Sequence, residues 1–279
     1  MQTTKIFEEK TYEEKHCLDI ETAMHRSSII ENVSYQVTLA LPKGANFFGH
    51  TVAKFSLTEI PTKMISLDFA ALKISSLVIN GTMLENKDGE SQQVFTKHMI
   101  FLQPQYLKLG ENVVTLNLWS KYRNDGEGLH TFTDEVDSQQ YLYSQFEVDL
   151  QRYVFPAFDQ PDIKATWEFS GIIPEDWDII SNEYQNKEKA DAAKSSGSVL
   201  YELEAVAAEF SESELFKSIS NPVTFCFNNS DKISTYLYCI VAGPYGYHES
   251  NVEGMPPMRI YARKSVLHEV DHADMFLAT

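Results

Sequence analysis

The sequence predicts a mainly β protein, an antiparallel β-sandwich or saddle-shaped assembly of sheets. Three observations carry that expectation. Apolar residues recur with period two over many short stretches. Turn signals rich in Gly, Pro and Asn separate those stretches. Few windows show a helical period, so sheet must pack on sheet to bury the apolar faces.

Residues 1–28 are polar and helix-prone. Val33, Tyr35, Val37 and Leu39 then share one face of a strand that Pro42-Lys43-Gly44 ends. Phe55 and Leu57 alternate before Pro61, and Ile65, Leu67 and Phe69 repeat the pattern. Leu77-Val78-Ile79 runs into Asn80-Gly81, a hairpin signal because both residues tolerate positive φ. Val114, Leu116 and Leu118 form a strand after the turn at 108–112. Further strands are expected over 141–148, 163–169, 199–203 and 235–241. The segment 187–198 is polar and unpatterned and reads as a loop or hairpin tip. Residues 251–257, with Gly254, Pro256 and Pro257, read as a linker before one more strand at 258–263 and a helix at 266–277.

Composition narrows the function. The net charge is −17, which opposes binding to nucleic-acid phosphates and to anionic membrane surfaces. Residues 1–15 mix charges around no apolar core, and no run is long enough to span a bilayer, so a cytoplasmic protein is expected. Cys17, Cys226 and Cys239 are odd in number and widely spaced, as reduced thiols are. The three literal N-x-S/T sites, at Asn32, Asn80 and Asn228, carry no weight in that setting.

The most specific stretch is YLYSQFEVDLQRYVFPAFDQPDIKATWEF, from Tyr141 to Phe169. Ser144-Gln145-Phe146-Glu147 is followed by Arg152-Tyr153, then by Phe155-Pro156-Ala157-Phe158-Asp159-Gln160-Pro161, then by Lys164-Ala165-Thr166-Trp167. Gly128-Leu129-His130 with Phe132 and Asp137 precedes it, and Trp177-Asp178-Ile179-Ile180-Ser181-Asn182 and Val241-Ala242-Gly243-Pro244-Tyr245 follow. In this order the segments resemble the N-terminal domain of the aminopeptidase N family, the gluzincin zinc aminopeptidases. The resemblance implies a β-rich N-terminal domain at 29–250, with 258–279 opening a truncated catalytic domain. It also implies substrate-binding roles for Gln145, as a wall of the first specificity pocket, and for Glu147, as a carboxylate for the free α-ammonium group of a peptide. Tyr153 departs from the family's paired arginines, and an ion pair is expected to be weaker there. The family's G-x-M-E-N segment is absent. The chain is therefore expected to be inactive alone, to hold no cofactor, and to meet zinc only with a catalytic domain.

His268-Glu269-Val270-Asp271-His272 is a literal H-E-x-x-H, which on a helix would put two imidazoles on one face with a Glu as general base. Catalytic zinc sites take three protein ligands, and only seven residues follow His272. The helix is also amphipathic through Val266, Val270 and Ala273, so the histidines read as a solvated face and not as metal ligands. Its apolar side is a candidate surface for a protein partner. Two other readings stay open at this stage. One is a non-catalytic scaffold member of the same family, and the other is a small metalloprotease built on this segment.

Overall fold

The computed structural model describes residues 6–8, 18–84, 94–96, 98–251, 254–255, 257 and 258–270. The chain runs through β1 (Ile6–Glu8), α1 (Ile20–Ile29), β2 (Ile30–Ala40), β3 (Asn46–Leu57), β4 (Ile65–Asp68), β5 (Lys73–Ile79) and β6 (Thr82–Met83). It continues with β7 (Phe95–Thr96), β8 (Met99–Leu102), β9 (Gly110–Lys121), β10 (Gly128–Thr133), β11 (Gln140–Gln145), β12 (Ala165–Ile173) and β13 (Asp178–Ser181). Three helices follow, α2 (Lys187–Ser196), α3 (Ser198–Glu209) and α4 (Ser213–Lys217). The last strands are β14 (Val223–Cys226), β15 (Ile240–Gly243), β16 (Tyr245–Ser250) and β17 (Met258–Arg263).

The main sheet has the order β1-β5-β9-β3-β2-β12-β14, with β6 paired to β5. Its pairs are antiparallel except β12, which runs parallel to β2 from Ala165↔Val33 to Ile172↔Ala40. A second sheet has the order β10-β11-β15-β13 and a third β4-β8-β7, while β16 and β17 pair only with each other. The architecture is the mainly β, largely antiparallel one that the alternation predicts.

Local chemistry explains the elements. Val33, Tyr35, Val37 and Leu39 are all buried on one face of β2, as period two requires. Asn80 (φ 51°) and Gly81 (φ 82°) turn β5 into β6, the left-handed pair of a tight hairpin. Helix α1 starts where the Asp19 carboxylate accepts the Thr22 N–H at 2.8 Å. The dominant core lies beneath β2, β3, β9 and β12 and includes Phe55, Phe155, Phe158 and Trp167.

Three expectations need correction. Residues 187–203 are neither loop nor strand but helices α2 and α3. Asn186 caps α2 by accepting the Lys189 N–H, and Gly197 (φ 66°) separates the two helices. Leu203, Val206, Ala207 and Phe210 then fall on one helical stripe, which packs on Ala40, Phe48 and Ile172. Those three residues belong to the other face of the main sheet, so the helices cover what would be its solvent side. The second correction is at 235–241, where a 3₁₀ turn (Thr235–Leu237) precedes the strand. The third is at 266–270. Only a 3₁₀ turn forms at Leu267–Glu269, and Val270 is already extended (ψ 110°). His272 and the rest of the expected helix lie outside the described residues. The segment 251–257, read as a linker, joins the two strands of the β16–β17 hairpin.

Candidate functional site

Gln145 is the last residue of β11 and Glu147 stands two residues on, in the turn that follows. Period two through 147 was expected, but the strand stops at Gln145. Phe146 is buried, its carbonyl accepts the Leu150 N–H at 3.0 Å, and the chain turns there. The turn still brings the two residues together. The Glu147 N–H donates to Gln145 Oε1 at 3.3 Å, and both residues are exposed. Opposite Gln145 in the ladder is Gly128 (φ 60°). A Cβ there would lie 2.9 Å from Tyr153 Cβ and 3.1 Å from Arg123 Cδ, so only glycine lets the backbones approach.

The turn is held from below. Arg152 is buried, and its Nε donates to the Asp149 carbonyl at 2.7 Å while Nη2 reaches the Asp149 carboxylate at 2.9 Å. The backbone N–H of Arg152 donates to Asp159 Oδ2 at 3.2 Å. Asp159 Oδ1 accepts from Thr235 Oγ1 at 2.7 Å, and the Asp159 N–H donates to Asp68 at 2.9 Å. Asp68 in turn takes Arg26 by both guanidinium nitrogens, at 2.8 and 3.2 Å, and Arg26 also donates to Ser66 at 2.7 Å. Arg26 thus sits in α1 and pins that helix to β4. The Phe-Pro-Ala-Phe-Asp-Gln-Pro segment is therefore structural. It joins α1, β4 and the turn after β11 through one buried polar chain.

Tyr153 has a partner of its own. The Arg123 guanidinium lies 3.9 Å from the centre of its ring, and Arg123 is held by Asp125 and Glu127. Where a weakened ion pair was expected, the structure has a cation–π stack. Asp125, Glu127, Glu147 and Asp149 leave this end of the β10–β11 hairpin acidic. A surface cavity of about 580 Å³ lies beside it and is lined by Gly44, Lys121, Arg123, Phe132 and Gln140 among others. Another, of about 420 Å³, lies between Asn32, Asp162 and Lys232. Neither includes Gln145 or Glu147, which stand on open surface.

Burial pushes the Asp159 carboxyl up to about 7, and the charge of Asp68 adds to this, against the Thr235 hydroxyl and Arg152. Its ordinary value is 3.8, so the folded state holds this proton more tightly than the unfolded chain does. The stability it contributes is complete below the unfolded value and is lost as pH rises through about 7. Asp159→Asn, which fixes the neutral form, should therefore gain on the wild type between pH 4.5 and 7.5 in denaturant titrations. A stability difference that is flat over that range would show that Asp159 does not titrate there.

Of the H-E-x-x-H segment, only His268, Glu269 and Val270 lie among the described residues. His268 and Glu269 lie side by side in the 3₁₀ turn and are largely exposed. No three His, Cys, Asp or Glu side chains converge as metal ligands among the described residues. Among those residues no helix is long and apolar enough to cross a membrane. One residue that the sequence reading passed over is Asp134. It is 3% exposed and accepts from both Arg263 and Ser265. The Asp134–Asp137 spacing was the available signal, but the distant partners were not visible.

Residues 31–205 match the family described as Peptidase M1 N-terminal domain. The chain is similar to an aminopeptidase N of Streptomyces lividans, 29% identical over 266 residues, covering 93% of this chain and 26% of that protein. It is also similar to leucine aminopeptidase 2 of Coccidioides immitis, 26% identical over 152 residues, with 53% and 24% covered. An aminopeptidase N of Acetobacter pasteurianus is 21% identical over 217 residues, with 76% and 52% covered. The chain spans about a quarter of the length of the first two relatives.

Proposed function

Because this chain belongs to the Peptidase M1 N-terminal domain family, we propose that it is the substrate-recognition domain of an aminopeptidase, which selects peptides by their free N-terminus. The observation that supports this reading most is the pairing of Gln145 with Glu147 on an exposed turn. That turn is braced by the buried Arg152 and Asp159. An exposed carboxylate at Glu147 gives an α-ammonium group a charge-assisted hydrogen bond, whereas an acetylated N-terminus gains nothing from it. The neighbouring acids Asp125, Glu127 and Asp149 are paired with Arg123 and Arg152, so Glu147 is the carboxylate proposed to meet the cation. Hydrolysis is assigned to a catalytic domain, as the resemblance to the zinc aminopeptidases implies. The isolated chain is proposed to bind without turnover.

The test is steady-state kinetics of the aminopeptidase that carries this domain, on a panel of aminoacyl substrates. Glu147→Ala should raise KM and lower kcat/KM roughly ten- to hundredfold, the worth of one hydrogen bond to a charged group. Gln145→Ala should reorder preference among first residues, because it changes a wall and not a charge. The isolated chain, assayed with and without zinc, serves as the control and should show no turnover. If both substitutions leave kcat/KM untouched, the turn is only architectural and a scaffold role takes its place.

A further inference from the structure

Among the described residues from Tyr245 to Val270, none is buried. This stretch contains the β16–β17 hairpin, which pairs from Tyr245↔Arg263 to Ser250↔Met258 and, among the described residues, with no third strand. A two-stranded hairpin without a core is marginal in water. The hairpin must therefore draw its stability from what it touches.

Several contacts hold the unit to itself. Arg259 bonds Glu249 at 2.6 Å and lies 4.6 Å from the centre of the Tyr247 ring. Leu267 folds back onto Gly246, where a Cβ would come within 2.5 Å of its Cδ2. These contacts do not attach the hairpin to the rest of the protein.

Several contacts attach it to the β10–β11 hairpin, one of them Tyr245 Oη donating to the Leu142 carbonyl at 3.4 Å. Asp134 Oδ2 accepts from Arg263 Nη1 at 2.8 Å and from Ser265 Oγ at 2.6 Å. The Arg263 guanidinium also lies 5.7 Å from the centre of the Phe132 ring, and Tyr245 meets Tyr141 edge-on at 5.0 Å. Asp134 is itself fixed in the β10–β11 loop. Its N–H donates to the Gln139 carbonyl at 2.9 Å, and its Oδ1 accepts the Val136 N–H at 2.8 Å. One carboxylate thus uses one oxygen to shape its own loop and the other to hold the hairpin. The Ser265 hydroxyl and the Val136 N–H, with Arg263, keep the Asp134 carboxyl below the usual carboxylate range, so the charge is present at neutral pH.

We propose that Asp134 is the latch that seats the β16–β17 unit on the β10–β11 hairpin. Arg263 and Ser265 are its two hooks. The far end of the same β10–β11 hairpin carries Gln145. The latch therefore makes Asp134 a positioning residue, setting where polypeptide leaving β17 stands relative to the recognition turn. That consequence rests on the reading of Gln145 and Glu147 given above, but the latch itself does not.

The experiment is amide hydrogen exchange on this chain, comparing wild type with Asp134→Asn and Ser265→Ala. Asn keeps an oxygen for the Val136 N–H but loses the charge, so the loop should survive. Amides of 245–263 should exchange about tenfold faster or more in Asp134→Asn, since a charge-assisted bond is lost, and by a smaller factor in Ser265→Ala. Protection in β2, β3 and β9 should not change. Unchanged exchange over 245–263 in both variants would overturn the proposal. So would a loss of protection spread evenly over the main sheet, which would make Asp134 an ordinary turn residue. A failure of Glu147 in the kinetic test would leave this result intact, so the two ideas fail separately.

Discussion

Arg26→Ala is expected to lower the unfolding free energy by about 3–5 kcal/mol, the usual cost of breaking a buried ion pair from one side. Arg26 and Asp68 are both almost completely buried, and their bond closes the polar chain that continues through Asp159 to Arg152. Removing the guanidinium leaves the Asp68 carboxylate without its cation in a place that water does not reach. Ser66 loses its donor at the same time. Asp68→Asn should cost less, because a neutral amide is cheaper to leave there than a charge. Urea titrations of the two single variants and the double variant give the coupling between the groups. A loss below about 1 kcal/mol for Arg26→Ala would mean that the pair is not desolvated and that α1 is not pinned by it.

Trp167→Ala is the second large effect, again about 3–5 kcal/mol, through the cavity left in the core. Trp167 is 2% exposed. Its ring stacks on Tyr35 at 4.4 Å and meets Phe155 at 5.3 Å and Tyr238 at 4.8 Å. These partners come from β2, from the Phe-Pro-Ala-Phe segment and from the turn before β15. The ring therefore ties the main sheet to the segment that braces the turn after β11. Trp167→Phe should cost clearly less, since it keeps an aromatic packing surface. It also removes an indole N–H that is buried without an acceptor among the described residues. Thermal and urea unfolding of the two variants check this. Equal losses for Ala and Phe would show that shape-specific stacking, and not buried volume, sets the stability here.

Much of the strand content was legible because period-two alternation is a local property. Val33 to Leu39 and Val114 to Leu118 read correctly for that reason, and so did the Asn80-Gly81 hairpin, whose turn needs only two residues that accept positive φ. Helices α2 and α3 were missed although their signals were present. Asn186 and Gly197 are good caps, and Val199, Leu203, Val206, Ala207 and Phe210 follow a helical period. Residues Val199 to Leu203, inside α3, also look like a short strand, and only the longer window separates the two. The expected helix at 266–277 shows the converse. Its amphipathic pattern was real, but the chain is extended by Val270.

The sequence alone determined the fold class and the family resemblance, because these depend on short-range pattern and on an ordered set of motifs; Gln145 and Glu147 became candidates through the same motifs. Tertiary structure alone decided the rest. Strand direction is one case. The same alternation serves a parallel or an antiparallel neighbour, and only the chain path sets β12 parallel to β2. The roles of the charged residues are another. Arg26 finds Asp68 across 42 residues, and Asp134 finds Arg263 across 129. No local period records such partners. Burial turns those carboxylates from solvated surface groups into the fixed points of α1, the turn after β11 and the last hairpin, since a charge removed from water must have a partner wherever the fold brings one.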